Sequence, residues 1–156
     1  MTFEVVEATS SDIDPLVDLE TALFLEDVGQ HDPYSDPTWP AREGRKDFED
    51  LIASPDGIVL AARSSGDFIG LLAGYTAKAS PTRQPVEYAV LRTMYVAAGA
   101  RRKGVAMMLT ERFVDWARAR GCAEVHVDHF AANAAAAALY ARCGFEARSV
   151  SRALKL

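Results

Sequence analysis

Several things are scarce in this 156-residue chain, and each scarcity excludes something. Only two cysteines occur, Cys122 and Cys143, twenty-one residues apart. That spacing matches no metal or redox motif, so reduced thiols without a disulfide are expected, as in a cytoplasmic protein. No apolar run nears the ~18 residues of a membrane span. The start, Met1-Thr2-Phe3-Glu4, has no basic region followed by an apolar one, so no secretory signal is expected. Internal repeats and linkers are missing, and the one biased tract is the alanine run 134–138, so a single domain over 1–156 is expected. A net charge of −5 argues against a dedicated nucleic-acid binder, which needs a cationic face. No partner of nucleic acid or membrane is expected.

Charge is present but unevenly placed. Residues 1–50 hold 14 Asp/Glu against 3 Arg/Lys, and residues 51–156 hold 8 against 14, so −11 stands beside +6. Such a chain suits a site where an anionic ligand meets a cationic one, although unlike charges on separate solvated faces would give the same totals. The apolar pattern predicts a strand at 3–8, a helix from Ser10-Ser11-Asp12 carrying Leu16, Leu19, Leu23 and Phe24, and a loop over 26–40 broken by Gly29, Pro33, Pro37 and Pro40. That loop mixes Glu26, Asp27, His31, Asp32, Asp36, Tyr34 and Trp39, which would serve either as a plain connection or as a wall for an amine. A helix over 41–54, strands at 58–63, 68–75 and 86–96, a helix over 105–120, a strand at 124–129 and a helix over 133–142 follow. One or two closing strands are expected over 145–156. The order β-α-α-β-β-β-α-β-α-β-β predicts an α/β fold, a mixed sheet flanked by helices.

The most informative stretch runs from Thr93 to Leu109. A strand ending in Met94-Tyr95-Val96 passes through Arg101-Arg102-Lys103-Gly104-Val105-Ala106 into a helix. A helix start offers unpaired N–H groups and about half a positive charge. Gly104 and Ala106 would let a phosphate approach the main chain. The spacing of Gly99 and Gly104 imitates a P-loop, but Val105 and Ala106 replace the Lys and Ser/Thr that a nucleoside triphosphatase needs. The dinucleotide fingerprint is absent as well. A basic solvated turn before an ordinary core helix is the plain alternative.

Three pieces in order carry a resemblance: Met94-Tyr95-Val96, Arg101-x-x-Gly104-x-Ala106 and Asn133-x-x-Ala136-x-x-Leu139-Tyr140-x-x-x-Gly144-Phe145. Over roughly 86–147 the chain resembles the GNAT-type N-acetyltransferases, which move an acetyl group from acetyl-CoA to an amine. The resemblance implies that main-chain groups of Met94, Tyr95 and Val96 hold the pantetheine arm. It implies that the turn Arg101, Arg102, Lys103, Gly104, Val105 and Ala106 holds the pyrophosphate, with the three cations adding charge toward the phosphates. Asn133 would contact the cofactor near its acyl end, and Tyr140 would protonate the leaving thiolate; a packed helical tyrosine is the plain alternative.

An attacking amine must be neutral, so a base must remove its proton. Charge gathering on the carbonyl oxygen needs an N–H donor, for which Val96 is the positional candidate. For the base the resemblance offers Asp128, five residues before Asn133 and sharing a strand face with His126, which would relay the proton. Its alternative is Glu87 on the preceding strand, with Arg92 in the more central place; Asp128 is preferred. His126-x-Asp128-His129 supplies too few same-face ligands for a metal centre, and none is expected. The acceptor would be a cationic primary amine of a small molecule or peptide. A CoA-binding regulatory module without turnover is the competing class. Members of the family often pair, so a homodimer is the implied assembly.

Overall fold

In the computed structural model, which describes residues 1–156, five strands lie side by side in chain order: β1 (Glu4–Glu7), β2 (Gly57–Ser64), β3 (Asp67–Lys78), β4 (Glu87–Val96) and β5 (Glu124–Val127). Neighbours are antiparallel except β4 and β5, which are parallel. A parallel pair needs a crossover between its strands, and helix α4 (Val105–Ala119) supplies it. The other helices are α1 (Ile13–Leu23), the single turn α2 (Gly29–His31), α3 (Arg45–Ala53) and α5 (Ala134–Arg142). None of them is long and apolar enough to cross a membrane.

Successive strand residues face opposite sides of a sheet, and the central strands use both. Ile58, Leu60, Ala62, Leu72 and Leu91 join Val105, Leu109 and Phe113 of α4 and Leu139 of α5 in one buried cluster. Val59, Ala61, Leu71, Ala73 and Tyr95 join Leu16 and Leu19 of α1 and Phe48 of α3 in the other. Each fully buried Leu or Phe contributes roughly 1.5–3 kcal/mol. Gly74 shows how closely α4 lies on the sheet, because a Cβ there would stand 2.4 Å from Phe113 Cε2.

Two expectations need correction. The segment predicted as a loop over 26–40 stays helical as far as His31, through a π-helical stretch Phe24–Val28. No proline interrupts it before Pro33, and Phe24 stacks on Trp39 with ring centroids 5.9 Å apart. A second wide turn, Pro40–Gly44, leads into α3. The closing strands expected over 145–156 are not formed. Arg148, Ser149, Ser151 and Arg152 leave too few apolar side chains to bury a face there, and residues 146–156 are exposed. An ion pair from Arg148 to Glu124, 2.8 Å long, ties this tail to β5.

Candidate active site

One unmatched residue in β4 opens the site. Ala73 pairs with Thr93 and Gly74 with Leu91, so Arg92 has no partner on β3. A bulge of this kind bends and twists its strand. On the other side, pairing of β4 with β5 ends at Leu91 opposite Val127. Beyond that level the two strands part, and a cleft of 330 Å³ opens, lined among others by Leu23, Asp27, Arg92, Asp128, Asn133 and Tyr140.

The ladder decides which main-chain groups face that gap. Ala97 N–H donates to Ile69 O at 2.9 Å, so these residues form a hydrogen-bonded pair of the antiparallel ladder. Alternation then turns the N–H and C=O of Val96 and Met94 away from β3, toward the side that β5 has left. Tyr95 differs from the expectation made for it. Its main-chain groups point into the ladder opposite Leu71, and its side chain is buried under α1.

Past β4 a tight turn carries left-handed residues at Arg102 (φ 60°) and Gly104 (φ 84°) before α4 begins. The main-chain amides from Arg102 to Met107 donate to no acceptor in the protein. Nothing lies within 4 Å of the point where a Cβ on Gly104 would stand. A helix of this length adds its dipole to those free donors, which suits an anion. Arg102 and Lys103 are exposed beside them, with Lys103 Nζ near Gly99 O at 3.2 Å. Arg101 is turned elsewhere. Its Nε donates to Val96 O at 2.9 Å, its guanidinium pairs with Glu26, and it covers the Tyr95 ring. Tyr95 Oη also donates to Glu26, at 2.8 Å. Arg101 and this phenol hold the Glu26 carboxyl below its usual range. Burial first, and Glu26 second, raise the Tyr95 phenol.

Across the cleft Asn133 caps α5, its Oδ1 accepting from Ala136 N–H at 3.0 Å and its Nδ2 donating to Asp27 at 3.1 Å. Asp27 also pairs with His31 at 2.9 Å, and His31 stacks on Phe130. These contacts join the helical extension after α1, from Phe24 to His31, to the segment before α5 over the cleft. Tyr140 is 7% exposed, packed between His129 and Phe145, and its hydroxyl makes no hydrogen bond within the protein. Burial is the main cause pushing its phenol well above the ordinary value, with Cys143 and Asp27 adding to it.

Of the two carboxylates considered as bases, Asp128 lines the cleft and Glu87 does not. Glu87 begins β4, five residues before Arg92, about 16 Å along an extended strand. His126 is not turned to Asp128 as a relay. It contacts Glu124 at 2.9 Å and stacks on Tyr88 at 4.5 Å. His126, Arg83 and Arg148 together hold Glu124 down at about 2. Asp27 and Arg92 were not read from the sequence as parts of one site. A usable signal existed in the spacing Leu16, Glu20, Leu23, Asp27, which places two carboxylates on the apolar face of a helix.

Against known proteins, a family model described as the acetyltransferase (GNAT) family matches residues 22–145. An aminoglycoside N(6')-acetyltransferase type 1 from Klebsiella aerogenes is 29% identical over 94 residues, 60% of this chain and 62% of that enzyme's length. A mutant of the BH1408 protein from Bacillus halodurans superposes with a TM-score of 0.85 at 19% identity, covering 98% of this chain and 99% of the other. An aminoglycoside N-acetyltransferase, AAC(6')-Iy, in complex with CoA superposes with a TM-score of 0.78 at 16% identity, covering 99% and 95%.

Proposed function

Because the chain belongs to the GNAT acetyltransferase family, we propose that it transfers the acetyl group of acetyl-CoA to a primary amine of a small cationic molecule. One observation carries this reading: β4, whose Met94 lines a cleft together with Tyr140 and its unpartnered hydroxyl, runs on into a turn and helix start with free main-chain amides from Arg102 to Met107. The amides of the turn and the open space at Gly104 fit a pyrophosphate. The outward groups of Met94 and Val96 fit an extended amide-bearing arm, laid where β5 is missing. Asn133 spends one lone pair of Oδ1 on its cap and one N–H of Nδ2 on Asp27, which leaves its second N–H for the cofactor.

Bound there, acetyl-CoA would supply an activated acyl group as a thioester. The chain's own residues do the rest. Asp128 receives the proton of the incoming ammonium, directly or through one water. The Val96 N–H, turned away from β3, would be the donor for charge developing on the carbonyl oxygen. Tyr140 Oη would deliver its proton to the sulfur as the thiolate leaves, and would recover one through water from the acylated nitrogen, which sheds its second proton as the amide forms. Each proton-transfer group contributes about 10²–10⁴-fold in rate. The acidic first third of the chain, with Asp27 in the cleft, favours a cationic acceptor, and the relatives named for aminoglycosides support the same chemistry.

The test is release of CoA from acetyl-CoA, followed with a thiol reagent, across a panel of amines. Sustained release that requires an amine is expected. Thermal stabilisation by acetyl-CoA without turnover on any amine would instead make the protein a CoA-binding regulatory module.

A further inference from the structure

Buried carboxyl oxygens without a hydrogen-bond partner are rare in proteins. Glu20, on α1, is 3% exposed and its Oε2 has none. That oxygen occupies the room left by Gly44, 3.2 Å from where a Cβ would stand, with Val17 and Pro40 as the apolar neighbours at the same point. Asp47 follows Gly44 by one helical turn, a separation of about 5–6 Å between Cβ positions. Asp47 holds Arg92 through two hydrogen bonds, 3.2 and 2.7 Å. Burial pushes Glu20 up to about 7, opposed by Arg92 and reinforced by Asp47.

The Arg92–Asp47 pair is also a partition. Arg92 lines the cleft of 330 Å³, while Asp47 lines an outer groove of 470 Å³ with Trp39, Arg42, Glu43, Lys46 and Asp50. Both partners keep partial exposure, with side chains 31% and 25% accessible. Arg92 thus holds one carboxylate, and a second, orphaned carboxyl lies against Gly44, one helical turn before that carboxylate and near enough to feel the guanidinium's charge.

We propose that Asp47 is a docking carboxylate for a second ammonium group of the acceptor, made free when Arg92 shifts to Glu20. This rests on the acetyl-transfer reading for the first amine, which reacts in the cleft. An arriving ammonium replaces the guanidinium at Asp47. The guanidinium then meets Glu20, whose carboxyl gives its proton to solvent, so one positive charge enters and one leaves. The acceptors favoured are small molecules with two or more ammonium groups several ångströms apart, such as aminoglycosides or linear polyamines. A monoamine gains nothing from the second seat.

Calorimetric titration at pH 6 in two buffers of different ionisation enthalpy tests this on the CoA-bound and the CoA-free protein. The probes are kanamycin, spermidine and the monoamine 6-amino-6-deoxyglucose. Kanamycin or spermidine should bind at least ~10-fold more tightly than the monoamine, with release of nearly one proton. Asp47→Asn should erase that preference and leave monoamine affinity unchanged. Glu20→Gln, nearly the same shape, should erase both the preference and the proton release. Equal losses for all three probes, or a preference untouched by either substitution, would overturn the proposal. Failure of CoA to bind would remove the acetyl-transfer reading, while the titrations of the CoA-free protein would still decide the role of Asp47.

Discussion

A phenol that burial holds above its ordinary value stays protonated throughout the neutral range, as a donor to a departing thiolate must. Tyr140 meets that condition, and nothing in the protein competes for its hydroxyl. Tyr140→Phe is expected to lower kcat by about 10²-fold or more while CoA affinity changes less than about twofold. Steady-state rates together with calorimetry check both halves, and an unchanged kcat would remove Tyr140 from the acid role. Glu20 allows a prediction on stability. Its carboxyl is raised from 4.5 to about 7 in the folded protein, so the folded state binds more protons between those values. Its contribution is therefore fully present below pH 4.5 and is lost as pH rises through about 7, a loss of about 3 kcal/mol. Urea unfolding at pH 5 and pH 8 should show this decline, and Glu20→Gln should flatten it. An identical slope in the variant would mean that other groups cause it.

The elements were legible in the sequence wherever period and punctuation agreed. Helix α4 announced itself through Val105, Met108, Leu109, Phe113 and Trp116, of which Met108 proves exposed, and Gly121 follows it with φ 79°. The helix start at Gly104 could be read because small residues, cations and a preceding strand coincide there. The bulge at Arg92 could not. It arises from a mismatch between β4 and β3, which is a property of a pair of strands and not of either one alone. The helical extension to His31 was hidden by Gly29, which here keeps ordinary helical angles (φ −66°). Tyr140 and Asp128, which line one cleft, were singled out only by what the family resemblance implies, and the link from Asp27 to Asn133 spans 106 positions and needs the fold. At this scale Gly74→Ala is a sharp test of how α4 lies on the sheet. The added methyl would meet both the Phe113 ring at 2.4 Å and Val90 O at 2.6 Å. A loss of about 1–3 kcal/mol is expected from overpacking, measured by denaturant midpoints. No loss would show that the ring can move aside freely.

For the whole molecule, ligand binding is the most direct handle. Acetyl-CoA at ~100 times its dissociation constant should add ~2.7 kcal/mol of apparent stability, visible as a raised Tm. Gly104→Glu should abolish that rise. The new side chain enters open space, so the fold loses only about 1–2 kcal/mol from the left-handed angle, while bulk and negative charge fill the phosphate seat. A retained ligand shift in this variant would place the cradle elsewhere. The charge division of the chain takes on a spatial meaning too, because the acidic first third supplies α1 to α3 and the later part supplies α4 and α5.

The sheet keeps its two cores on separate faces, with α1 and α3 on one and α4 and α5 on the other. Side chains on the first face that make no contact with Arg101 or Asn133 are therefore expected to tolerate exchange with little effect on the packing beneath the proposed phosphate seat. A laboratory selection for new acceptors could randomise Leu23, Trp39 and Glu43 as an interchangeable front. The back half would pass through such a campaign unaltered, a ready chassis for redesigned amine modifiers.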